Sequence, residues 1–333
     1  MDYIGSKLKL NNWIFEIINK HIDHPEKMFF LDACSGSGSV SKYAIKAGYQ
    51  VISNDLMKFS STIINGSVGL TKTQYNTALE KINKFNSINQ GIDGYFYTNF
   101  CDESSPPRFY FTAKNARLID LIRKEIDFTN DLKIRDYLLY CGLEAISRVS
   151  NTAGVQAAFL KKYKDRAKNT FKLVNENITE GSVSVFNRDI LSLLKDKEFR
   201  TKYQEDILYI DPPYNQRQYG PNYHLYETFV RNDNPQTKGL TGLRNWKNES
   251  YSNFCVKKNC LQFLKSIIDN STAKLIFISY NSDGILHEKE IKTNFPTVKI
   301  HERDQRRFKS DTSETRTYND KKLIEYLFEI QKK

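Results

Sequence analysis

The sequence predicts an α/β fold: an open sheet flanked by helices and interrupted by a long, mainly helical block. Three observations carry this expectation. Short segments rich in apolar, β-branched and aromatic residues recur along the chain, as strands covered on both faces require. The first two, in "MFFLDACSGSGSVSKYAIKAGYQVISNDL", are separated by a Gly/Ser-rich loop and a helical pattern, which makes a βαβ unit. Between Asp55 and about Gly181 the strand and helix alternation fades into helical periodicity.

Taken in order, Ser6 to Ile22 is expected to be a helix, because Leu10, Ile14, Ile17, Ile18 and Ile22 fall at the three- and four-residue steps of one buried face. The first strand runs from Phe29 to Ala33. A helix then stops at Gly48, and a second strand covers Tyr49 to Ser53 and ends in Asn54 and Asp55. In the helical block, Leu118, Ile119, Ile122 and Ile126 mark one buried face, and Leu139, Leu143 and Ile146 another. Further strands are expected at "SVSVFNRD", "DILYID", "KLIFISYN", "TVKIHERD" and "LIEYLFEI", with Leu261, Leu264, Ile267 and Ile268 marking a helix before the third of these. The chain is thus expected to divide into a sheet-bearing domain, residues 1–58 and 181–333, and an inserted region, residues 59–180.

The chain has 333 residues, ample for one large core and an inserted subdomain. Lys and Arg number 50 against 39 Asp and Glu, a net charge of +11, which favours a polyanionic partner such as nucleic acid. An anionic membrane is the competing reading. No run approaches the ~18 apolar residues of a membrane span and no signal-peptide pattern opens the chain, so a cytoplasmic protein without a membrane partner is expected. Cys34, Cys101, Cys141, Cys255 and Cys260 contain no CxxC pair, and Cys255 with Cys260 lacks matching His spacing. Neither a disulfide framework nor a metal site is expected.

Two basic stretches are candidates for nucleic-acid contact. In "FLKKYKDRAKNTFK", Lys161, Lys162, Lys164 and Arg166 bracket aromatic residues, as phosphate contacts beside stacking groups would need; a solvated helix face explains the same pattern equally well. "HERDQRRFKSDTSETR", with Arg306 and Arg307, lies in the connection between the last two strands.

The stretch "EDILYIDPPYNQRQYG" carries the chemistry. Pro212 cannot donate to a ladder, so the strand ends at Asp211, and Asp211, Pro212, Pro213 and Tyr214 form a stiff arm with few backbone alternatives. At the carboxyl end of a strand in an α/β sheet, such an arm presents a carboxylate, a carbonyl and an aromatic face to a ligand. The loop that follows, with Arg217, Tyr219 and Tyr223, supplies polar and aromatic groups able to close over a bound base. Packing beneath the sheet edge is the competing role for the two tyrosines.

"DACSGSGS" after the first strand is a partial glycine fingerprint. Gly36 and Gly38 permit a tight turn and close ligand approach, but Ser41 stands where a third glycine would be, and Asp32 would repel a pyrophosphate. An NAD site is disfavoured. S-adenosylmethionine, a nucleoside with a sulfonium and an ammonium group, reconciles the glycines with Asp32. Asp55 ends the second strand, where a carboxylate can accept both ribose hydroxyls.

Together these segments resemble the Dam-like family of adenine-N6 DNA methyltransferases, in the motif order that places the target-recognition region before DPPY. The resemblance rests on "YIGSK", "FLDACSGSGS", "SNDL", "NRDI", "DPPY" and the closing strand, loop and strand. It implies a Rossmann-like S-adenosylmethionine-dependent methyltransferase fold, mostly parallel with an antiparallel last strand. It also implies that Tyr3 and Lys7 enclose one end of the cofactor and that Asp32, Cys34, Ser35, Gly36 and Gly38 line it. Asp55 and Leu56 would sit at the ribose, Asp189 and Ile190 at the adenine, and Asp211 beside the transferred group. Ala33, Cys34 and Ser35 depart from the Phe or Gly usual in this loop, and Ser6 stands where many relatives have glycine.

The chemistry accounts for these residue types independently. An exocyclic adenine nitrogen shares its lone pair with the ring, so Asp211 and the Pro212 carbonyl, accepting its two N–H groups, would raise its electron density as positive charge develops. Tyr214 would stack on a base flipped out of the duplex, at about 1–3 kcal/mol per stacked base. The expected function is sequence-specific methylation of adenine N6 in double-stranded DNA, as the modification member of a pair with a restriction endonuclease. The alternatives are the same fold acting on RNA or cytosine N4, and a catalytically silent DNA-binding module.

Overall fold

The computed structural model describes residues 3–305 and 323–332. Its strands are β1 (Phe29–Asp32), β2 (Gln50–Asn54), β3 (Val183–Phe186), β4 (Ile207–Ile210), β5 (Leu275–Asn281), β6 (Lys299–Gln305) and β7 (Leu323–Gln331). They form one sheet in the order β3-β2-β1-β4-β5-β7-β6. Every pairing is parallel except the two made by β7, which runs antiparallel to both β5 and β6. The expected Rossmann-like sheet with a reversed last strand is the one observed.

Alternation along the strands assigns the two faces. Phe30, Val51, Ile207, Tyr209, Phe277 and Leu327 pack with α1 (Asn11–Ile18) and α2 (Ser39–Lys46). Leu31, Ile52, Leu208, Ile210, Ile276, Ile278 and Phe328 pack with the helices Ile190–Leu194 and Lys257–Asn270. Both faces are buried, which is why these strands read as nearly continuous apolar runs. The connections from β1 and β4 lead to opposite sides of the sheet, so a crevice opens between their carboxyl ends, at the topological switch point.

The helix expected to start at Ser6 starts at Asn11 instead. Residues before it form a turn, with Gly5 at φ 82° and the Lys7 carbonyl accepting from the N–H groups of Leu10 and Asn11. The physical reason is Lys7 itself: its side chain is drawn beneath the sheet edge to an ion pair and ends 2% exposed, which a surface helix at this position would not allow.

Between β2 and β3 lie α3 (Lys58–Ser67), α4 (Lys72–Asn86), α5 (Tyr95–Phe100), α6 (Ala113–Asp127) and α7 (Leu132–Val149). Every residue of the two predicted apolar faces in this block is buried. The helices share one core with Tyr223, Leu225, Tyr226 and Phe229, which come from the segment after β4. Glu227 reinforces that join by accepting from the N–H groups of Lys58 and Phe59 at the start of α3, both at 3.1 Å. Local periodicity could not show this merger, because the two segments are far apart in sequence.

A buried carboxylate organises the outer part of the block. Asp120, on α6, accepts from Gly94 N (3.1 Å), Phe96 N (2.8 Å) and Tyr97 N (2.9 Å), the donors left over at the start of α5. Replacing it by alanine strands these buried N–H groups, so D120A is expected to lower the unfolding free energy by about 2–3 kcal/mol in urea titrations. An unchanged midpoint would show that water caps α5 as well.

Among the described residues no helix is long and apolar enough to cross a membrane, and no three His, Cys, Asp or Glu side chains converge to hold a metal ion. The five cysteines are free thiols.

Candidate active site

The crevice at the switch point is an open cleft enclosing about 900 Å³ of space, solvent at its mouth included. Its walls come from the turn after β1, the end of β2, the start of the helix Ile190–Leu194, the Asp211–Tyr214 arm after β4, and residues 3–7. Tyr3, Lys7, Asp32, Cys34, Ser35, Gly36, Asp55, Leu56, Asp189, Ile190 and Asp211 all line it, as do Pro212, Pro213 and Tyr214. The register pairs Asp32 with Tyr209 on the neighbouring strand, so the glycine turn and the proline arm leave the sheet side by side.

Strand ends are stapled to hold this geometry. Asn54, 1% exposed, donates from Nδ2 to the carbonyls of Ala33 and Arg188, both at 3.1 Å, tying β1, β2 and the end of β3 together. Asn187 donates from Nδ2 to the carbonyls of Asp55 (2.9 Å) and Leu56 (3.0 Å). Asp55 in turn accepts from Gly36 N and Met57 N, both at 2.8 Å, so its carboxylate braces the glycine turn. Burial raises its pKa to about 6, against those two N–H groups.

Ser41, the residue that breaks the glycine fingerprint, has a structural reason. Its Oγ donates to Asp32 Oδ2 at 2.6 Å and lies 3.1 Å from Ser53 Oγ. Asp32 is 1% exposed, and its Oδ1 has no protein partner. Burial pushes its pKa up to about 7; the Ser41 bond opposes this, while the charges of Asp211 and Asp55 add to it. A buried carboxylate with one open oxygen fits a cationic ligand group and disfavours a phosphate.

The two glycines play different parts. Gly36 has φ 52°, and a Cβ there would lie 2.6 Å from the Tyr3 hydroxyl, so only glycine lets Tyr3 close over the turn. Gly38, placed among the cofactor residues by sequence, does not line the cleft: it begins α2 at φ 74°, and a Cβ would run into Ile64 of α3.

At the other end, Lys7 Nζ lies 3.0 Å from Asp211 Oδ1, donates to the Gly5 carbonyl at 3.2 Å and contacts the Tyr214 hydroxyl. Tyr214 donates to Asp211 Oδ1 at 2.6 Å, and its ring meets the Tyr280 ring edge-on at 5.1 Å. Burial raises the Asp211 pKa, and Lys7 and Tyr214 pull it back. Tyr219 lines the cleft, with its ring centroid 5.9 Å from that of Tyr3. Tyr223 is fully buried, stacked on Tyr3 at 5.1 Å and accepting from Ile4 N at 2.8 Å, so of its two readings the packing role is the observed one.

The basic candidates are spread more widely. Lys161 and Lys162 are exposed, Lys164 is exposed with Nζ donating to the Thr152 carbonyl at 3.0 Å, and Arg166 is half-buried. Only Asp165–Lys168 of this stretch is helical. Arg217 is exposed on the loop after the arm, while Arg306 and Arg307 lie outside the described residues.

Several cleft residues escaped sequence reasoning. Tyr209, Arg188, Ser250, Ser252, Phe254 and Phe263 also line it. Phe263 carried a signal: it is an aromatic residue off the buried stripe of its helix, Cys260, Leu264, Ile267 and Ile268. The serines carried none.

The chain matches, over residues 3–294, the D12 class N6 adenine-specific DNA methyltransferase family. The Type II methyltransferase M.NlaIII of Neisseria lactamica is 32% identical over 343 residues, covering 100% of this chain and 99% of the relative. M.CviAII of Paramecium bursaria Chlorella virus 1 is 32% identical over 336 residues, 98% of this chain and 97% of that one. M.FokI of Planomicrobium okeanokoites is 34% identical across the whole of this chain, which spans only 53% of that longer protein. A match across nearly the whole chain, on a cleft that joins a glycine turn to an Asp-Pro-Pro-Tyr arm, makes this protein a member of the D12 class N6 adenine-specific DNA methyltransferases.

Proposed function

We propose that the cleft holds S-adenosylmethionine and a flipped-out adenine side by side, and that the protein methylates adenine N6 within a specific duplex sequence as the modification partner of a restriction endonuclease. The observation that carries this reading is the adjacency of the Asp32–Gly36 turn and the Asp211–Tyr214 arm in one cleft. When bound, S-adenosylmethionine supplies an electrophilic methyl group on a sulfonium.

The open Oδ1 of Asp32 suits the cationic methionine end of that cofactor. Asp55 keeps lone pairs beyond the two N–H bonds it accepts, enough for ribose hydroxyls. Ile190, Phe254 and Phe263 offer an apolar slot for its adenine ring. Asp211 and the Pro212 carbonyl take the two N–H groups of the target amine, holding its lone pair toward the methyl group, and the carboxylate favours the transition state as N6 gains positive charge. Tyr214 supplies the stacking surface, anchored through its hydroxyl to Asp211. Residues 59–180, with exposed Lys161, Lys162 and Lys164, form the target-recognition region, and Arg217 and Tyr219 meet the DNA near the cleft mouth.

Expression in a host lacking adenine methylation, followed by genome-wide mapping of modified bases, tests the reading. N6-methyladenine in one recurrent duplex sequence is the expected result. Methylcytosine, modification confined to RNA, or no modification would each overturn it.

A further inference from the structure

We propose that Glu325 is a positioning residue for the transfer site: its charge acts across the sheet face on the Lys7–Asp211 ion pair and thereby sets how strongly Asp211 accepts hydrogen bonds from the target amine. The proposal rests on the reading of Asp211 given above.

Sheet register places the groups. Asp32 pairs with Tyr209, Tyr209 with Phe277, and Asn281 with Glu325. Side chains alternate along each strand, so Asp32, Tyr209, Asn281 and Glu325 share one face with Asp211, two residues beyond Tyr209. This is the face packed against α1, and the turn that precedes α1 brings Lys7 down onto it.

Whereas Glu329, the other buried carboxylate of β7, is paired with His21 and His301, Glu325 is 4% exposed and its Oε2 has no hydrogen-bond partner. A buried carboxylate so poorly satisfied is costly, and a fold gains nothing structural from it that glutamine would not supply. The groups facing it are Lys7, which favours its charged form, Asp211, which opposes it, Asn281, which hydrogen-bonds to it, and the buried Tyr209 and Tyr214 hydroxyls. Arg303, opposite Glu325 on β6, is exposed and lies over the Trp13 ring at 6.0 Å. Lys7 is thus paired directly with Asp211, at 3.0 Å, and lies within the electrostatic reach of Glu325 on the same face. When Glu325 is neutral, Lys7 neutralises Asp211; when Glu325 is ionised, it shares that charge and leaves Asp211 a stronger acceptor.

Burial raises the Glu325 pKa to about 7, which puts the change within reach of a rate profile. Single-turnover methylation of unmethylated genomic DNA would be followed between about pH 5.5 and 9, at saturating cofactor so that Asp32 and Asp55 drop out of the rate. The wild-type rate is expected to rise through about 7. Glu325→Gln should lose that rise and run about tenfold slower on the alkaline side, with cofactor affinity and DNA affinity kept. Glu325→Asp should restore the rise. A merely structural role would lower the melting temperature of Glu325→Gln yet leave the profile's shape, and that result overturns the proposal. If Asp211→Asn is inactive while Glu325→Gln matches wild type, Glu325 alone is ruled out; if Asp211→Asn transfers normally, the reading of Asp211 falls and this proposal with it.

Discussion

Replacing Asp211 by alanine is expected to slow methyl transfer to duplex DNA by about 10³-fold, the cost typical of removing a preorganised group that acts on charge developing in the transition state. DNA affinity should stay close to wild type, because the exposed basic residues proposed to meet phosphate, Lys161, Lys162, Lys164 and Arg217, lie elsewhere on the chain. The effect on Lys7 enlarges the loss. With Asp211 gone, the Lys7 ammonium, 3% exposed at its side chain, keeps only the Gly5 carbonyl and Tyr214 hydroxyl as direct partners, with Glu325 the more distant carboxylate left to offset its charge. Single-turnover rates beside electrophoretic DNA-binding measurements check this. Transfer at the wild-type rate would remove Asp211 from the chemistry.

Asp32→Asn should have two effects of opposite kind. Cofactor affinity should fall by about 10- to 100-fold, the equivalent of the 1.5–3 kcal/mol of a hydrogen bond to a charged group, read by calorimetric titration with S-adenosylmethionine. Stability should rise, but only on the alkaline side. The Asp32 pKa is about 7 in the folded protein against an ordinary 3.8, so the folded state holds a proton that the unfolded state releases. Its burial therefore costs little below 3.8, costs progressively more between 3.8 and about 7, and reaches its full cost above that window. Asparagine cannot ionise, so the variant should melt several degrees above wild type at pH 8 and match it at pH 4. Equal melting temperatures at pH 8 would mean that Asp32 is already compensated in the free protein. Saturating cofactor should close the gap, by stabilising the wild type more. A stability cost at the very residue proposed to receive the ligand is the pattern expected of a site organised for binding.

The sequence by itself determined the parts of this protein whose physics is local. A proline after Asp211 stops a strand wherever that strand lies, glycines after Asp32 permit a tight turn, and carboxylates at the ends of consecutive strands of a βαβ unit must project at the same edge of a sheet. The α/β class and the placing of Asp32, Asp55 and Asp211 along one cleft were legible for that reason, whereas the reversed last strand was expected only from the family resemblance. Gly38 was the exception. It obeys the same turn rule as Gly36, and only the closeness of Ile64 on α3 shows that it serves packing.

Tertiary structure decided whatever depends on which distant segments become neighbours. Periodicity put Lys7 inside a helix from Ser6 and the resemblance put it beside the cofactor, but only its ion pair with Asp211, 204 positions along the chain, goes with a helix that starts at Asn11. Phe254 and Phe263 reach the cleft from beyond the arm, and Tyr223 joins the core of helices that precede β4. Glu325 carries no motif at all; an antiparallel register on β7 sets it opposite Asn281, on the same sheet face as Asp32 and Tyr209. Backbone preferences and hydrophobic periodicity act over a few residues, whereas the charge of a buried group is fixed by what packs against it, and that is settled only once the sheet has closed.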